Sequence, residues 1–260
     1  MRKRQVRRAS YSQTSAYRPT VSRSTKKRQW PLVPVGLLIG STIVIWLLFT
    51  NLRIQIITVE GASNASEIQG AVFDKLQTDY GGGYTATLPV GELERFIANK
   101  YPASVEEVRI QPRWLNRSLQ ITITERVPVL WWQSAGVKYA LDKEGIVISS
   151  SKPPPGAPLI RDVTNLPVQT GQKIAPQEFV NFSVELYRNF TILTKLKLLE
   201  LRVQETTSEL TAITPGFFVR FDTTNSAQEQ LENVARTLKS ANSTPNEYID
   251  VRIPYKAYFR

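Results

Sequence analysis

An uncharged run near the N-terminus constrains this chain more than any other feature. Residues Gln29–Leu52 carry no charge over 24 positions and are bounded by Arg28 and Arg53. Because a helix rises about 1.5 Å per residue, about 20 residues cross a hydrocarbon core of roughly 30 Å. The run therefore predicts a transmembrane helix at 29–52. A buried core helix and a cleaved signal are alternatives, but the sequence after the run lacks the small-residue pattern that signal cleavage needs.

The charges around this run predict its orientation. Ten of the 33 Lys and Arg residues lie in 1–28, and no Asp or Glu precedes Arg53. Positive charge before a span favours a cytoplasmic N-terminus, which predicts a single-pass type II protein of the plasma (inner) membrane. Residues 1–28 have few aliphatic side chains and are expected to form a disordered basic cytoplasmic tail. The residues expected to anchor the span at the headgroups are Lys26, Lys27, Arg28 and Trp30.

Missing residue types restrict the chemistry. The chain has no Cys and no His, which excludes thiol nucleophiles, imidazole bases and the usual zinc sites. The sequence contains two Ser-x-x-Lys motifs, the spacing that places a lysine beside a nucleophilic serine on a catalytic helix. Ser24–Lys27 lies in the tail. Ser149–Lys152 is followed directly by three prolines, which exclude a helix, so neither motif fits a catalytic site. Residues 53–260 hold 23 bases against 22 acids, which argues against a nucleic-acid partner. We expect no enzyme activity, no cofactor, no metal and no small-molecule substrate.

The sequence after the run predicts a small α+β module at 53–127. Apolar alternation and helical spacing indicate two helices, the first with an Asn64 and Glu67 capping pattern, and three strands. The predicted order is strand Arg53–Gly61, helix Asn64–Gln77, helix Pro89–Lys100, strand Val105–Ile110 and strand Leu119–Glu125. In such a β-α-α-β-β order, both helices cover one face of the sheet.

The last predicted strand of this module ends abruptly. Glu125 and Arg126 follow the alternation, and Pro128 has no N–H to give to a strand ladder. We interpret Glu125, Arg126 and Pro128 as an interdomain hinge, with the acid and the base as a solvent-exposed pair. An active site at Glu125 would need a second acid or a nucleophile nearby, and the sequence shows none.

A second module is predicted at 128–260, with a mixed α/β fold and a mainly antiparallel sheet. It begins with a β-hairpin whose turn contains Asp142, followed by a proline-rich surface connection at Ser149–Ile160. The remaining predicted elements are helix Pro176–Phe190, strands Leu198–Gln204, Glu209–Ile213 and Phe217–Phe221, a helix around Leu231–Leu238, and terminal strands Tyr248–Arg252 and Tyr255–Phe259.

Several of these motifs together resemble the FtsQ/DivIB family of bacterial cell-division proteins. The motifs are "TVEG" at Thr58–Gly61, the "RW" turn at Arg113–Trp114, "ERVP" at Glu125–Pro128, "LPVQTG" at Leu166–Gly171 and "YIDVR" at Tyr248–Arg252. The resemblance implies a POTRA domain at 53–127 and an FtsQ-like C-terminal β domain at 128–260. It further implies a non-catalytic divisome scaffold that links early and late division proteins at the septum.

The resemblance also implies a partner-binding strand. FtsB-like and FtsL-like small coiled-coil membrane proteins would pair with the terminal edge. The implied binding residues are Tyr248, Arg252, Tyr255, Tyr258 and Phe259. Three alternatives stay open at this point: these aromatics only complete the core, the protein is a POTRA-containing component of envelope secretion or outer-membrane assembly, or it is an envelope enzyme that works through carboxylates or Ser and Lys.

Overall fold

The structure is a computed structural model that describes residues 32–51, 53–85, 87–148, 155–240 and 245–260. The predicted tail at 1–28 and the predicted anchors Lys26, Lys27, Arg28 and Trp30 lie outside these residues. The chain divides into two units between Leu48 and Phe49. Each unit is described by itself below.

The first unit contains most of helix α1, which runs from Leu32 to Asn51. A helix was expected at this place, and its described side chains from Val35 to Trp46 are exposed. Among the residues that the structure describes, no helix meets the length and the hydropathy needed to cross a membrane. The transmembrane role of 29–52 stays a prediction.

The second unit begins with a three-stranded sheet covered by two helices. Its elements are β1 (Ile56–Glu60), α2 (Ala65–Tyr80), α3 (Val90–Lys100), β2 (Val105–Arg113) and β3 (Ser118–Glu125). The strand order is β1-β3-β2, with β3 parallel to β1 and antiparallel to β2. The predicted β-α-α-β-β order is confirmed.

Alternating apolar residues place the core of this sheet on its helical face. Leu119, Ile121 and Ile123 of β3 are buried against Ile68 and Leu93 of the helices. Gly61 follows β1 with a φ of +83°, and a Cβ there would lie 2.2 Å from the carbonyl oxygen of Ile123. The "TVEG" motif therefore needs glycine, because both the backbone conformation and the close approach exclude a side chain.

A nine-stranded sheet follows. Its elements are β4 (Pro128–Ser134), β5 (Val137–Asp142), β6 (Val147–Ile148), β7 (Leu159–Asp162), α4 (Gln177–Thr194), β8 (Glu200–Val203), β9 (Glu209–Ile213), β10 (Phe218–Asp222), α5 (Ala227–Ser240), β11 (Tyr248–Asp250) and β12 (Tyr258–Phe259). The order is β12-β11-β10-β9-β8-β7-β4-β5-β6. Five of the eight strand pairs are antiparallel, which confirms the mixed, mainly antiparallel sheet.

Helices α4 and α5 pack side by side on one face of this sheet. Phe179 and Phe190 of α4 are fully buried, and Trp132 of β4 meets Phe179 edge-on with ring centroids 5.9 Å apart. Two parallel crossovers create this arrangement, since α4 connects β7 to β8 and α5 connects β10 to β11. Helices on one face leave the other face of the sheet to polar and aromatic side chains.

Three expectations about local structure were wrong. Leu159 and Ile160 do not belong to a surface connection, because they start β7 in the middle of the sheet, where Ile160 is fully buried. The Asn64 side chain makes no capping hydrogen bond, although α2 begins directly after it. The terminal strand is shorter than Tyr255–Phe259, because Tyr255 adopts a φ of +62° and the chain turns there.

Candidate functional site

The terminal strand β12 forms one edge of the nine-stranded sheet. It runs antiparallel to β11, with Tyr258 opposite Asp250 and Phe259 opposite Ile249. The Arg260 N–H donates to the carbonyl oxygen of Tyr248 at 3.1 Å, so Arg260 turns its backbone groups toward β11. Successive residues of a strand point their backbone groups to opposite sides, and the Phe259 N–H and C=O therefore face the free edge.

Exposed aromatic side chains surround this edge. Tyr255 is 86% exposed, Tyr258 50% and Phe259 45%. These three residues are not core residues, which decides against the alternative that they only complete the core. A sheet edge with open backbone groups and flanking aromatics is a template for an added strand.

Two cavities lie near the C-terminal segment, and Tyr258 of β12 lines the second of them. One, of about 280 Å³, lies between α5 and the turn that contains Tyr255, and Asn233 and Arg236 line it. The other, of about 490 Å³, is lined by Tyr258, Arg252 and Asp222. The Asn233 side-chain amide donates to the Lys256 carbonyl oxygen at 2.9 Å and thereby fixes the turn on α5.

Arg252 has a structural role in this region. Its Nη2 donates to the Asp250 carboxylate at 2.6 Å, and its Nη1 donates to Glu209 of β9. The hydrogen bond to Asp250 raises the pKa of the Arg252 guanidinium. Burial acts to raise the pKa of Asp250, but the hydrogen bonds from Arg252 outweigh it and hold that pKa below its ordinary value. Arg252 thus ties β11 to β9, and its charge is already matched.

Tyr248 also lies away from the edge. Its ring stacks on Phe218 of β10 with centroids 6.1 Å apart, and the Arg220 guanidinium lies 5.2 Å from the Phe218 ring. This ladder belongs to the sheet face that carries no helix. Of the five predicted binding residues, the structure therefore brings Tyr255, Tyr258 and Phe259 to the edge and leaves Tyr248 and Arg252 as its support. Whether any of them binds a partner stays a prediction.

The opposite edge of the same sheet, at β6, is covered. The segment 171–174 runs along it: the Val147 N–H donates to the Gln172 carbonyl at 2.9 Å, and the Gly171 N–H donates to the Val147 carbonyl at 2.8 Å. Gly171 closes the "LPVQTG" motif with a φ of +83°, and a Cβ there would lie 2.9 Å from the Pro102 side chain. This motif thus covers a sheet edge and touches the three-stranded module.

Arg126 lies at the junction between the two sheets. Its Nη1 donates to the Asp142 carboxylate and, at 2.8 Å, to Glu144, and its Nε donates to the Pro102 carbonyl at 2.8 Å. The Arg126 side chain is 9% exposed and that of Asp142 only 2%. Burial acts to lower the pKa of Arg126, but the hydrogen bonds to Glu144 and Asp142 outweigh it and raise that pKa. The hydrogen bond from Arg126 lowers the pKa of Glu144.

The prediction that Glu125 and Arg126 form a solvent-exposed ion pair was wrong. The Glu125 carboxylate instead accepts a hydrogen bond from the backbone N–H of Ser63, so the two neighbours bond in different directions. Adjacent residues of an extended segment point to opposite sides, which explains the separation. Pro128 is the first residue of β4, a strand position that needs no N–H. A hinge motion at these residues stays a prediction.

Sequence reasoning missed the partners of Arg126. Asp142 and Glu144 lie 16 and 18 residues further on, in the turn of the β5–β6 hairpin. In the sequence, these partners are visible only as two carboxylates in a predicted turn. Carboxylates in turns usually accept hydrogen bonds from the backbone of the turn, as Asp142 does from the Ile146 N–H at 2.8 Å. Within the described part of the chain, no group of three potential metal-binding side chains occurs.

Comparisons with known proteins agree with the motifs. A protein of Chloroflexus aurantiacus named Cell division protein FtsQ is 38% identical over 72 residues, which are 27% of this chain and 26% of that protein. A protein of Chloroflexus aggregans with the same name is 42% identical over 59 residues, 22% of either chain. A third, from Mycobacteroides abscessus, is 26% identical over 164 residues, which are 60% of this chain and 47% of that protein. No family model matches the chain.

The described residues form an α/β protein with a three-stranded and a nine-stranded sheet, and the terminal strand β12 forms one edge of the larger sheet. The resemblance of this chain to the FtsQ/DivIB family is confirmed by the three matches. The matched segments span between about a fifth and about half the length of these relatives.

Proposed function

We propose that this chain is a non-catalytic scaffold of the bacterial division machinery, which links early and late division proteins at the septum. The observation that carries the proposal is the open edge at β12, where Phe259 turns its backbone N–H and C=O away from the sheet. The similarity to proteins named Cell division protein FtsQ supports the same function.

The proposed mechanism is strand addition. An extended segment of a partner pairs with β12, and its alternate side chains enter the two cavities beside Tyr255 and Tyr258. The partners are FtsB-like and FtsL-like small coiled-coil membrane proteins. Because the backbone supplies most of the hydrogen bonds, the exposed aromatics set the register and the specificity.

The scaffold is anchored in the plasma (inner) membrane by 29–52, with residues 1–28 in the cytoplasm. The uncharged run and the ten basic residues before it support this orientation. Residues 53–127 then form a POTRA domain and residues 128–260 a C-terminal β domain on the extracytoplasmic side. Protease added to intact spheroplasts should degrade the 53–260 part, and protection of this part would contradict the orientation.

Localisation tests the division function. A fluorescent fusion of the full chain should collect at the division site, and a diffuse membrane signal throughout the cell cycle would contradict the proposal. Capture of small coiled-coil division proteins from solubilised membranes should fail for Tyr258→Glu and succeed for Tyr187→Glu, since Tyr187 is 39% exposed but lies on α4. Equal capture by both variants would argue against binding at the edge.

A further inference from the structure

The turn between β2 and β3 exposes two large apolar side chains. Trp114 is 60% exposed and Leu115 is 100% exposed, and neither belongs to the core of the three-stranded module. The turn is tight, because the Arg117 N–H donates to the Trp114 carbonyl at 3.3 Å and Arg117 adopts a φ of +49°. Exposed apolar tips of this kind mark a surface that contacts something other than water.

The sheet topology fixes the direction in which this turn points. Strand β3 is parallel to β1, with Ser118 opposite Ile56, so the turn that precedes Ser118 lies at the end of the sheet where β1 begins. The Arg117 carbonyl accepts the Gln55 N–H at 2.8 Å, which places the base of the turn beside the residue before β1.

The chain enters the module at this same end. Helix α1 ends at Asn51 and β1 begins at Ile56, so only four residues separate them. Four extended residues reach at most about 14 Å. If 29–52 spans the membrane, this short connection keeps the end of the sheet that carries the turn within reach of the bilayer surface.

The charges around the turn suit a lipid surface. Arg113 and Arg117 flank the turn, and the sequence from Val108 to Thr124 contains no acidic residue. Glu60 of β1 lines the same cavity as Arg113, further from the tip of the turn. Arginine next to an anionic headgroup is favourable, and an indole ring prefers the boundary between headgroups and acyl chains. Ile56, which is 55% exposed and lies opposite Ser118, adds apolar surface beside the turn.

We propose that the β2–β3 turn inserts Trp114 and Leu115 into the membrane interface as a second anchor, beside Arg113 and Arg117 at the headgroups. This inference rests on the proposed membrane span. The second anchor would hold the three-stranded module against the bilayer in addition to the helix at 29–52. The surface bound is lipid, and the partner-binding edge at β12 is separate from it.

The absence of cysteine from the chain permits a direct test. The full chain is reconstituted into vesicles of phosphatidylcholine and phosphatidylglycerol with a spin label at one introduced cysteine. Leu115→Cys reports on the turn, Ile43→Cys on α1, and Leu166→Cys serves as the matched control, because Leu166 is also an exposed loop leucine, at 64%. Collision of each label with oxygen, which concentrates in lipid, is compared with collision with a water-soluble nickel chelate.

The label at Leu115→Cys should collide with oxygen several-fold more than the label at Leu166→Cys, and correspondingly less with the chelate. Lipid exposure at Ile43→Cys together with water exposure at Leu115→Cys would overturn this inference and leave the membrane span standing. Water exposure at both positions would overturn the span as well. A label at Leu115→Cys that is water-exposed in vesicles but becomes shielded in native membranes would assign the turn to a protein partner and overturn the lipid assignment.

Discussion

The segment 171–174 covers the edge of the nine-stranded sheet at β6, whereas no segment that the structure describes pairs with the outer side of β12. At β6 the segment 171–174 supplies hydrogen bonds to Val147, and a buried arginine fixes the hairpin turn from the other side. At β12 two residues form the strand, and the side chains around them are exposed. An open edge is a template for pairing with another chain, so the proposed partner strand would add at β12 and not at β6.

The largest expected effect concerns the arginine at the covered edge. Arg126→Met should lower the free energy of unfolding by about 3 kcal/mol, because it leaves the carboxylate of Asp142 buried without its partner. Arg109→Met is the control, since the side chain of Arg109 is 72% exposed and its ion pair should contribute less than about 1 kcal/mol. Urea unfolding of both variants, followed by tryptophan fluorescence, measures the difference. Equal midpoints would show that the junction does not depend on Arg126.

The next effect concerns the cover itself. Gly145 has a φ of +79°, and a Cβ there would lie 2.0 Å from the Ala175 carbonyl oxygen. Gly145→Ala should therefore cost about 2 kcal/mol and push the covering segment away from β6. Gly136 has nearly the same φ, +81°, but a Cβ at this position would contact no other atom. Gly136→Ala should therefore lower the free energy of unfolding by about half as much. Amide exchange at Val147 should accelerate in the first variant alone, and equal acceleration in both would contradict the steric explanation.

At the open edge the expected effect is on binding. Phe259→Pro removes the outward N–H and should weaken binding of a partner strand about tenfold, the equivalent of one hydrogen bond. Phe259→Ala keeps the N–H and removes only the ring, so the two variants separate backbone pairing from aromatic contact. Calorimetric titration with the partner's extended segment measures both. Identical losses would mean that the ring, and not the edge, carries the interaction.

The smallest expected effect is the response to acid. The pKa of Asp250 is lowered in the folded chain, so its stabilisation is complete above the ordinary value of 3.8 and is lost as the pH falls through the folded value. The loss should not exceed about 1 kcal/mol, the usual upper range for an ion pair that solvent reaches. The pKa of Glu144, near the covered edge, is also lowered from its ordinary value of 4.5. Its side chain is 39% exposed, so solvent screening reduces its contribution to the free energy of unfolding.

Unfolding measured from pH 5 downward checks this difference. Asp250→Asn should flatten the acid dependence more than Glu144→Gln does. The opposite ranking would place the stronger acid-sensitive contact at the covered edge.

Local patterns predicted the three-stranded module well, because its strands alternate and its helices carry one apolar stripe. The order of its elements followed from spacing alone, and the predicted strand Leu119–Glu125 differs from the observed β3 by one residue. Strand β7 was not predicted, because Pro158 directly before it suggested a surface loop. It is central in the sheet only because it pairs with β4 and β8, which are distant along the chain. The contacts of Arg126 were not predicted either, because its carboxylate partners lie in a turn that is distant along the chain.

The terminal edge was predicted by resemblance, and its details depend on geometry that no sequence pattern states. Which of Tyr248, Tyr255 and Phe259 is exposed follows from the left-handed turn at Tyr255 and from the stacking on Phe218. Alternation alone could not distinguish a residue on the open face from one at the free edge.

The parallel pairing of β10 with β11 has a consequence for the order of assembly. Strand β11 pairs with β10 across the α5 crossover, and β12 pairs with β11. The β10–β11 pairing joins residues about 30 positions apart, and contacts that distant slow folding because loop closure costs entropy first. The proposed partner strand would therefore find β12 in place only on chains in which β10 and β11 have already paired. Partner binding would in this way select folded chains.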